Sequence, residues 1–338
     1  MKIVVITPVK DEEWVLDRFL WACSRFADHI LILDQQSSDK SLEICSRHPK
    51  VTVLSNPSTQ YDESLRSELL VEGARRLFGE GNLLVAFDAD EIPTYPSLDE
   101  RVWTNLKKLP SGTHICFEKP EMFSLPNRCV RTVSTFPYGF IDDGSSMEGC
   151  LIHSRRTPGN PANPHYYSSS IILMHFARVR WQEYCVRQVV YCMIENIRKS
   201  KSHRVRTCYY APEFFTRFGS DSSVAIPIEW TTGYQAAGVD ILGFSSSRFN
   251  AFHLRVLRLF AEHGVEQFKF DPIWWEAWEE ARQHFLQKGV SGLPQFSISD
   301  QDLFTRFIIC SLTKFYSLCN SFCTFFRKLI AIKGKTTI

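Results

Sequence analysis

Residues Leu83 to Ile92 read LLVAFDADEI, an apolar run that ends in three carboxylates within four positions, Asp88, Asp90 and Glu91. Leu83 to Phe87 is too short for a globular helix, and its unbroken apolar character marks a strand covered on both faces. The acids stand where that strand leaves the core. Crowded carboxylates repel one another unless a cation lies among them. The stretch therefore sets two expectations: a buried parallel strand, and a cation at its carboxyl end. A plainer role for such an acidic turn is to cap a following helix.

The same alternation extends outward on both sides. KIVVIT (2–7) is a β-branched run closed by Pro8, and residues 12–27 carry a helical apolar stripe. HILILD (29–34) and VTVL (51–54) read as further strands, with a short helix from Lys40 to Ser46 between them. Glu63 to Phe78 is predicted helical, with Gly79 and Gly81 as stop signals; Leu98 to Leu109 is predicted helical and THICFE (113–118) a fifth strand. Strands separated by helices imply an α/β fold, a parallel sheet with helices on both faces. From residue 120 to 175 this rhythm gives way to Pro, Gly and short β-like pieces, expected to lie over the carboxyl edge of the sheet. Beyond Trp181 the chain turns helical, over 181–199, 249–263 and 275–288. The expected division is a first domain at 1–178 and a helical C-terminal region at 179–338.

Composition narrows the function classes. Lys and Arg number 39 against 37 Asp and Glu, a formal +2, which gives no footing to a nucleic-acid binder. The 11 cysteines are dispersed and form no C-x-x-C pair, the pattern of reduced thiols in a cytoplasmic protein. The apolar start IVVITPV is too short for a signal-peptide core and reads as a strand. No long uncharged apolar window suggests a membrane-spanning helix.

In open α/β sheets, ligands bind outside the carboxyl ends of the strands. Thr7, Pro8, Asp34, Asp88, Asp90 and Glu91 are the residues expected there. No G-x-G-x-x-G or G-x-x-x-x-G-K-[ST] follows a strand, which argues against a dinucleotide fold and a P-loop NTPase. A phosphorylated ligand must be held another way, and two aspartates at i and i+2 can share one hard divalent cation with phosphate oxygens.

The order strand–TPVKDEE–helix–strand–LDQQSSD–helix, ending at FDADE, resembles the GT-A glycosyltransferases, family 2 most closely, over residues 1 to about 120. The resemblance implies a Rossmann-like nucleotide-sugar-binding sheet, a nucleotide-sugar donor (a UDP-sugar first among the candidates) and a divalent cofactor, Mn²⁺ or Mg²⁺. It places Thr7, Pro8 and Asp34 at the base and ribose, Arg66 near the base or diphosphate, and Asp88 and Asp90 at ribose and metal. His175, in IILMHFAR, would complete the metal site, since a neutral imidazole suits a transition-metal ion. Asp34-Gln35-Gln36-Ser37 stands where many members read D-D-G-S, which leaves one acid rather than two at the nucleotide end.

An inverting transfer needs a base for the acceptor hydroxyl. Asp142 and Asp143 in GFIDDG, Glu148, and His153 in CLIHSRR are the candidates, with Asp142 or Asp143 placed first and His153 second. A glycan or lipid-linked molecule is the expected acceptor. Two further stretches bear on partners. The basic run RKSKSHRVR (198–206) is either a solvated linker or a contact for anionic groups. The Phe-rich tail (303–332), with clustered Lys and Arg, is either an amphipathic helix at the inner membrane face or a core-packed helix. Other readings are a nucleotidyltransferase of similar topology, whose Gly- and Arg-rich loop is missing, and a catalytically inactive GT-A scaffold that binds glycans.

Overall fold

The computed structural model describes residues 1–58, 62–123, 128–131, 136–147, 155–159, 162–210, 223–244, 247–274, 276–294 and 311. The chain divides into two compact units, Met1–Arg180 with Ser223–Ser245, and Trp181–Ser222 with Ser246–Ile338. The return of 223–245 to the first unit was not expected from the sequence.

The first unit is built on one sheet. Its strands are β1 (Ile3–Val9), β2 (His29–Asp34), β3 (Val51–Ser55), β4 (Leu83–Ala86), β5 (Glu91–Pro93), β6 (His114–Glu118), β7 (Glu121–Phe123), β8 (Arg128–Val130), β9 (Pro137–Ile141), β10 (His165–Arg178) and β11 (Val224–Ala225). They lie in the order β11-β8-β7-β10-β6-β9-β4-β1-β2-β3, with β5 paired to β10 off this path. The α/β organisation expected from the sequence is the one found, and β4-β1-β2-β3 are mutually parallel.

The sheet is mixed, however, rather than wholly parallel. β9 inserts antiparallel between β4 and β6, with Leu83 opposite Ile141 and His114 opposite Phe140. That insertion decides which residues reach the site.

Helices α1 (Leu16–Cys23), α2 (Ser41–Ser46), α3 (Glu63–Phe78) and α4 (Glu100–Leu106) follow the strands much as expected. α3 matches its predicted limits because both ends carry local signals. Asp62 accepts the Leu65 N–H at its start, and Gly79, at φ +87°, leaves the helix in a conformation L-residues avoid. Ile3, Val5 and Val9 of β1 pack with Phe19, Leu20, Phe87 and Trp103 in the larger core. Val4 and Ile6, pointing the other way, pack with Leu70, Val71 and Ala74 of α3. Every second residue of β1 thus serves an opposite layer, which is why the run is apolar without interruption.

The loops after β1 and β2 interlock. Asp11 N–H donates to Ser37 Oγ (3.0 Å), Ser38 N–H to Asp11 Oδ1 (2.6 Å), Glu12 N–H to Ser41 Oγ (2.9 Å) and Lys40 N–H to Glu13 Oε2 (3.0 Å). The acids of VKDEE therefore fix backbone donors of QQSSDKS.

The second unit holds α5 (Trp181–Arg198), α6 (His203–Tyr210), α8 (Ala251–His263) and α9 (Trp278–Gln287), while α7 (Thr232–Ala236) belongs to the first. Within the second unit, α5 and α8 bury Val186, Val189, Met193, Val256, Leu257 and Phe260. Arg206 pairs with buried Asp271 at 3.0 Å, and Tyr210 Oη donates to Glu195 at 2.9 Å. Among the described residues no helix is long and apolar enough to cross a membrane. The Phe-rich tail lies outside the described residues, apart from Ser311.

Candidate functional site

The acidic turn leaves β4 as expected and closes on itself, with Glu91 N–H donating to Asp88 O (3.0 Å) and Asp88 N–H to Glu91 Oε2 (2.9 Å). Glu91 then begins β5, which pairs antiparallel with the second half of β10, placing His175 opposite Glu91. β10 also pairs with β7, placing His175 beside Glu121. A bulge between Ser168 and Ile172 separates this half of β10 from the half paired with β6. Glu91, Glu121 and His175 thus meet across neighbouring strands although 30 positions separate the first two and 54 the last two.

Glu91 is the hub. Its side chain is wholly buried, Oε1 meets Lys119 Nζ at 3.1 Å, and Oε2 accepts from the Arg156 guanidinium. Burial pushes its carboxyl up, but Arg156 and Lys119 together outweigh that and hold it well below the usual carboxylate range. Arg156 also reaches Asp88 Oδ2, so one guanidinium bridges two acids of the turn. The rings of Tyr138 and Phe136 lie 5.6 and 5.9 Å from its centre. Burial lowers the affinity of Arg156 and Lys119 for their protons, but the facing carboxylates raise it by more, leaving both firmly charged.

Glu121 accepts from His175 Nδ1 at 2.8 Å. Burial would raise its carboxyl, yet His175 and then Lys119 hold it down to about 2. An ionised carboxylate can only accept, so Nδ1 donates to Glu121 and Nε2 is the ring nitrogen left for other contacts. That Nε2 stands 3.7 Å from Asp90 Oδ1.

This pair is spaced to receive a divalent ion. Metal bonds to N and O ligands of about 2.1 Å let two donors at that separation share one ion. The hydrogen bond from Nδ1 to Glu121 is the kind of support that orients a ligating histidine. Asp90 and His175 therefore fit as ligands, but Asp88 does not, because Arg156 holds its carboxylate. Among the described residues no three His, Cys, Asp or Glu side chains converge as a ready cage.

The other expected residues are placed as follows. Asp34 is buried at the end of β2 and accepts the Ser37 N–H with both oxygens (3.2 and 3.3 Å), so it caps the turn that follows. Thr7 is fully buried, with its Oγ1 lacking a hydrogen-bond partner among the described residues, and Pro8 is half-buried beside it. Arg66 lies in the first turn of α3, which begins on the same edge of the sheet as Asp34.

Asp142 and Asp143 are not at this edge. Because β9 runs antiparallel to β4, the residues that follow it lie beside the start of β4; Asp142 N–H donates to Asn82 O at 2.9 Å. Asp142 is buried and tied to Arg75 at 2.7 Å, while Asp143 accepts the Ser145 N–H at 3.0 Å. The placement of 120–175 over the carboxyl edge holds for Glu121 and Arg156 and fails for these two. Glu148 and His153 lie outside the described residues.

Lys119, Glu121 and Arg156 were not singled out from the sequence. Glu91 was placed at the ligand edge, as the third acid of the turn, but was given no role there. The return segment also supports the site: Tyr234 Oη donates to Pro93 O at 2.6 Å, fixing the far end of β5.

No family model matches the chain, and no curated protein matches it. Among solved structures it is similar to S. aureus TarS at 12% identity, over 66% of this chain and 44% of that one, with a TM-score of 0.37. The structure of TarS 1-349 gives 13% identity over 89% of this chain and 95% of that one, with the same TM-score of 0.37. Glucosyl-3-phosphoglycerate synthase from Mycobacterium tuberculosis, in complex with phosphoglyceric acid, gives 18% identity over 34% of this chain and 44% of that one, at 0.27. The chain thus spans less than half the length of TarS and of the synthase. At such identities and scores the likeness carries no argument about this chain.

Proposed function

We propose that this protein is a metal-assisted glycosyltransferase, moving a sugar from a nucleotide-sugar donor to a glycan or lipid-linked hydroxyl with inversion at the anomeric carbon. One observation carries the reading: Asp90 and an oriented His175 face each other at the carboxyl end of β4. Four carboxylates (Asp88, Asp90, Glu91, Glu121) meet three fixed cations (Lys119, Arg156, Arg178) around them. The fixed carboxylates outnumber the fixed cations, so an anionic diphosphate would need further positive charge there. A divalent ion bound by Asp90 and His175 would supply that charge and stabilise the departing diphosphate.

The chain's own residues have distinct tasks in this scheme. Glu121 keeps the His175 ring in one tautomer and one orientation. Glu91 keeps Lys119 and Arg156 at the mouth of the site. The unsatisfied hydroxyl of Thr7, with Asp34 and Arg66 on the same edge, is assigned to the nucleoside end. The acceptor's proton is assigned to His153, on sequence grounds alone. The protein is placed in the cytoplasm, with the Phe-rich tail as its contact to a membrane carrying the acceptor.

Thermal-shift titration with a panel of nucleotide sugars, with and without Mn²⁺, tests the reading. Stabilisation by at least one donor, enhanced by the ion and followed by turnover, is the expected result. Asp90→Ala should abolish turnover, chelation of the wild type should mimic it, and full activity of that variant at saturating Mn²⁺ would overturn the assignment. The paired carboxylate of Asp88 favours one other reading, an inactive glycan-binding scaffold. That reading requires glycan binding without any turnover.

A further inference from the structure

Arg156 is an unusual occupant of an acidic turn expected to hold metal. Its guanidinium bridges Asp88 and Glu91, stacks near Tyr138, and keeps 23% of its side chain exposed. A guanidinium has five N–H donors, and among the described residues the two acids take one each. The remaining donors are held rigidly by two carboxylates, one of which is wholly buried. A fork fixed in this way is suited to a phosphate group, because little side-chain freedom is left to lose on binding.

We propose that Arg156 is a built-in cation of the site that binds the donor's diphosphate directly, with Asp88 and Glu91 acting as its positioning residues rather than as metal ligands. The proposal rests on the nucleotide-sugar reading above. It divides the acidic turn by role: Asp90, with His175, faces the ion, while Asp88 and Glu91 hold a guanidinium. Lys119, seated on the other oxygen of Glu91, adds a second positive charge. Removing Glu91 would release both cations together.

Calorimetric titration of UDP and of uridine into wild type, Arg156→Gln and Arg156→Lys tests this, in Mn²⁺ and in EDTA. Loss of a charge-assisted contact should weaken UDP binding to Arg156→Gln by about 10- to 100-fold, in both conditions, with uridine binding unchanged. Arg156→Lys keeps the charge but not the fork, and should fall between; thermal melting of both variants reports on folding. Equal UDP affinity in wild type and Arg156→Gln would overturn the proposal while leaving the nucleotide-sugar reading intact. An equal loss for uridine and UDP would also overturn it, as general disruption. Failure of wild type to bind UDP or any other nucleoside diphosphate would overturn both. Mn²⁺ alone, followed by electron paramagnetic resonance, gives the second arm: Asp90→Asn should weaken binding and Asp88→Asn should not. Equal weakening by the two would return Asp88 to the metal and overturn the proposal.

Discussion

Single residues in this protein divide sharply into those that hold the site and those that hold the fold. Glu91 belongs with the first group and is also structural, since two cations lose their partner without it. Removing one member of a buried ion pair is strongly destabilising, so Glu91→Ala should lower the unfolding free energy by about 3–5 kcal/mol in denaturant titration. Asp142 belongs with the second group. Its carboxylate is wholly buried against Arg75, at the opposite edge of the sheet from Asp88. Asp142→Asn should cost about 3 kcal/mol by the same argument while the folded fraction keeps its kcat. A fall in kcat by orders of magnitude at unchanged stability would restore it as the base. Asp34 shows how one residue admits both readings: its position suggested a nucleotide contact, and its oxygens cap the Ser37 amide.

At the scale of elements, legibility followed how local the determining forces are. α3 was readable from end to end because its stripe, its Asp62 cap and its terminal Gly79 are all written within the segment. Asp62→Ala should accordingly cost about 1 kcal/mol, read as a shift in denaturation midpoint at constant slope. β10 was not readable. Its first half is exposed and polar, its second buried and apolar, and a bulge separates the two. Such a strand has no single period, and its partners β5, β6 and β7 are supplied by distant chain. β9 was hidden for another reason: its direction relative to β4 follows from the path of the intervening chain, not from its own residues. That direction alone moved Asp142 and Asp143 away from the site.

For the whole molecule, the second unit carries a pH dependence of its own. His253 is fully buried on α8; its Nδ1 accepts the Asn250 N–H at 3.3 Å. Burial first, then the neighbouring His284, lowers its affinity for protons to a pKa of about 4. The unfolded chain binds that proton at about 6.5, so between these values unfolding takes up protons. The contribution of neutral His253 is fully present above pH 6.5 and is lost as the pH falls to 4, by up to about 3 kcal/mol. Denaturant midpoints at pH 7.5, 5.5 and 4.5 should decline accordingly, and His253→Gln should flatten that window. Glu121 acts lower, its depressed carboxyl withdrawing stability only as the pH falls from the ordinary carboxylate range to about 2.

The sequence by itself determined the α/β class, the four strands β1 to β4 of the parallel core, and the acidic turn at the mouth of β4. Each of these rests on short-range patterns: apolar runs of strand length, helical stripes, caps, and acids massed where a strand ends. Tertiary structure alone decided what surrounds the turn. Lys119 with Glu121, Arg156 and His175 come from three separate stretches and meet because β10 pairs with both β5 and β7. Charge compensation in a buried site depends on which side chains arrive within a few ångströms, and sequence distance carries almost no information about that. The turn announced that a cation was needed; the fold supplied Arg156.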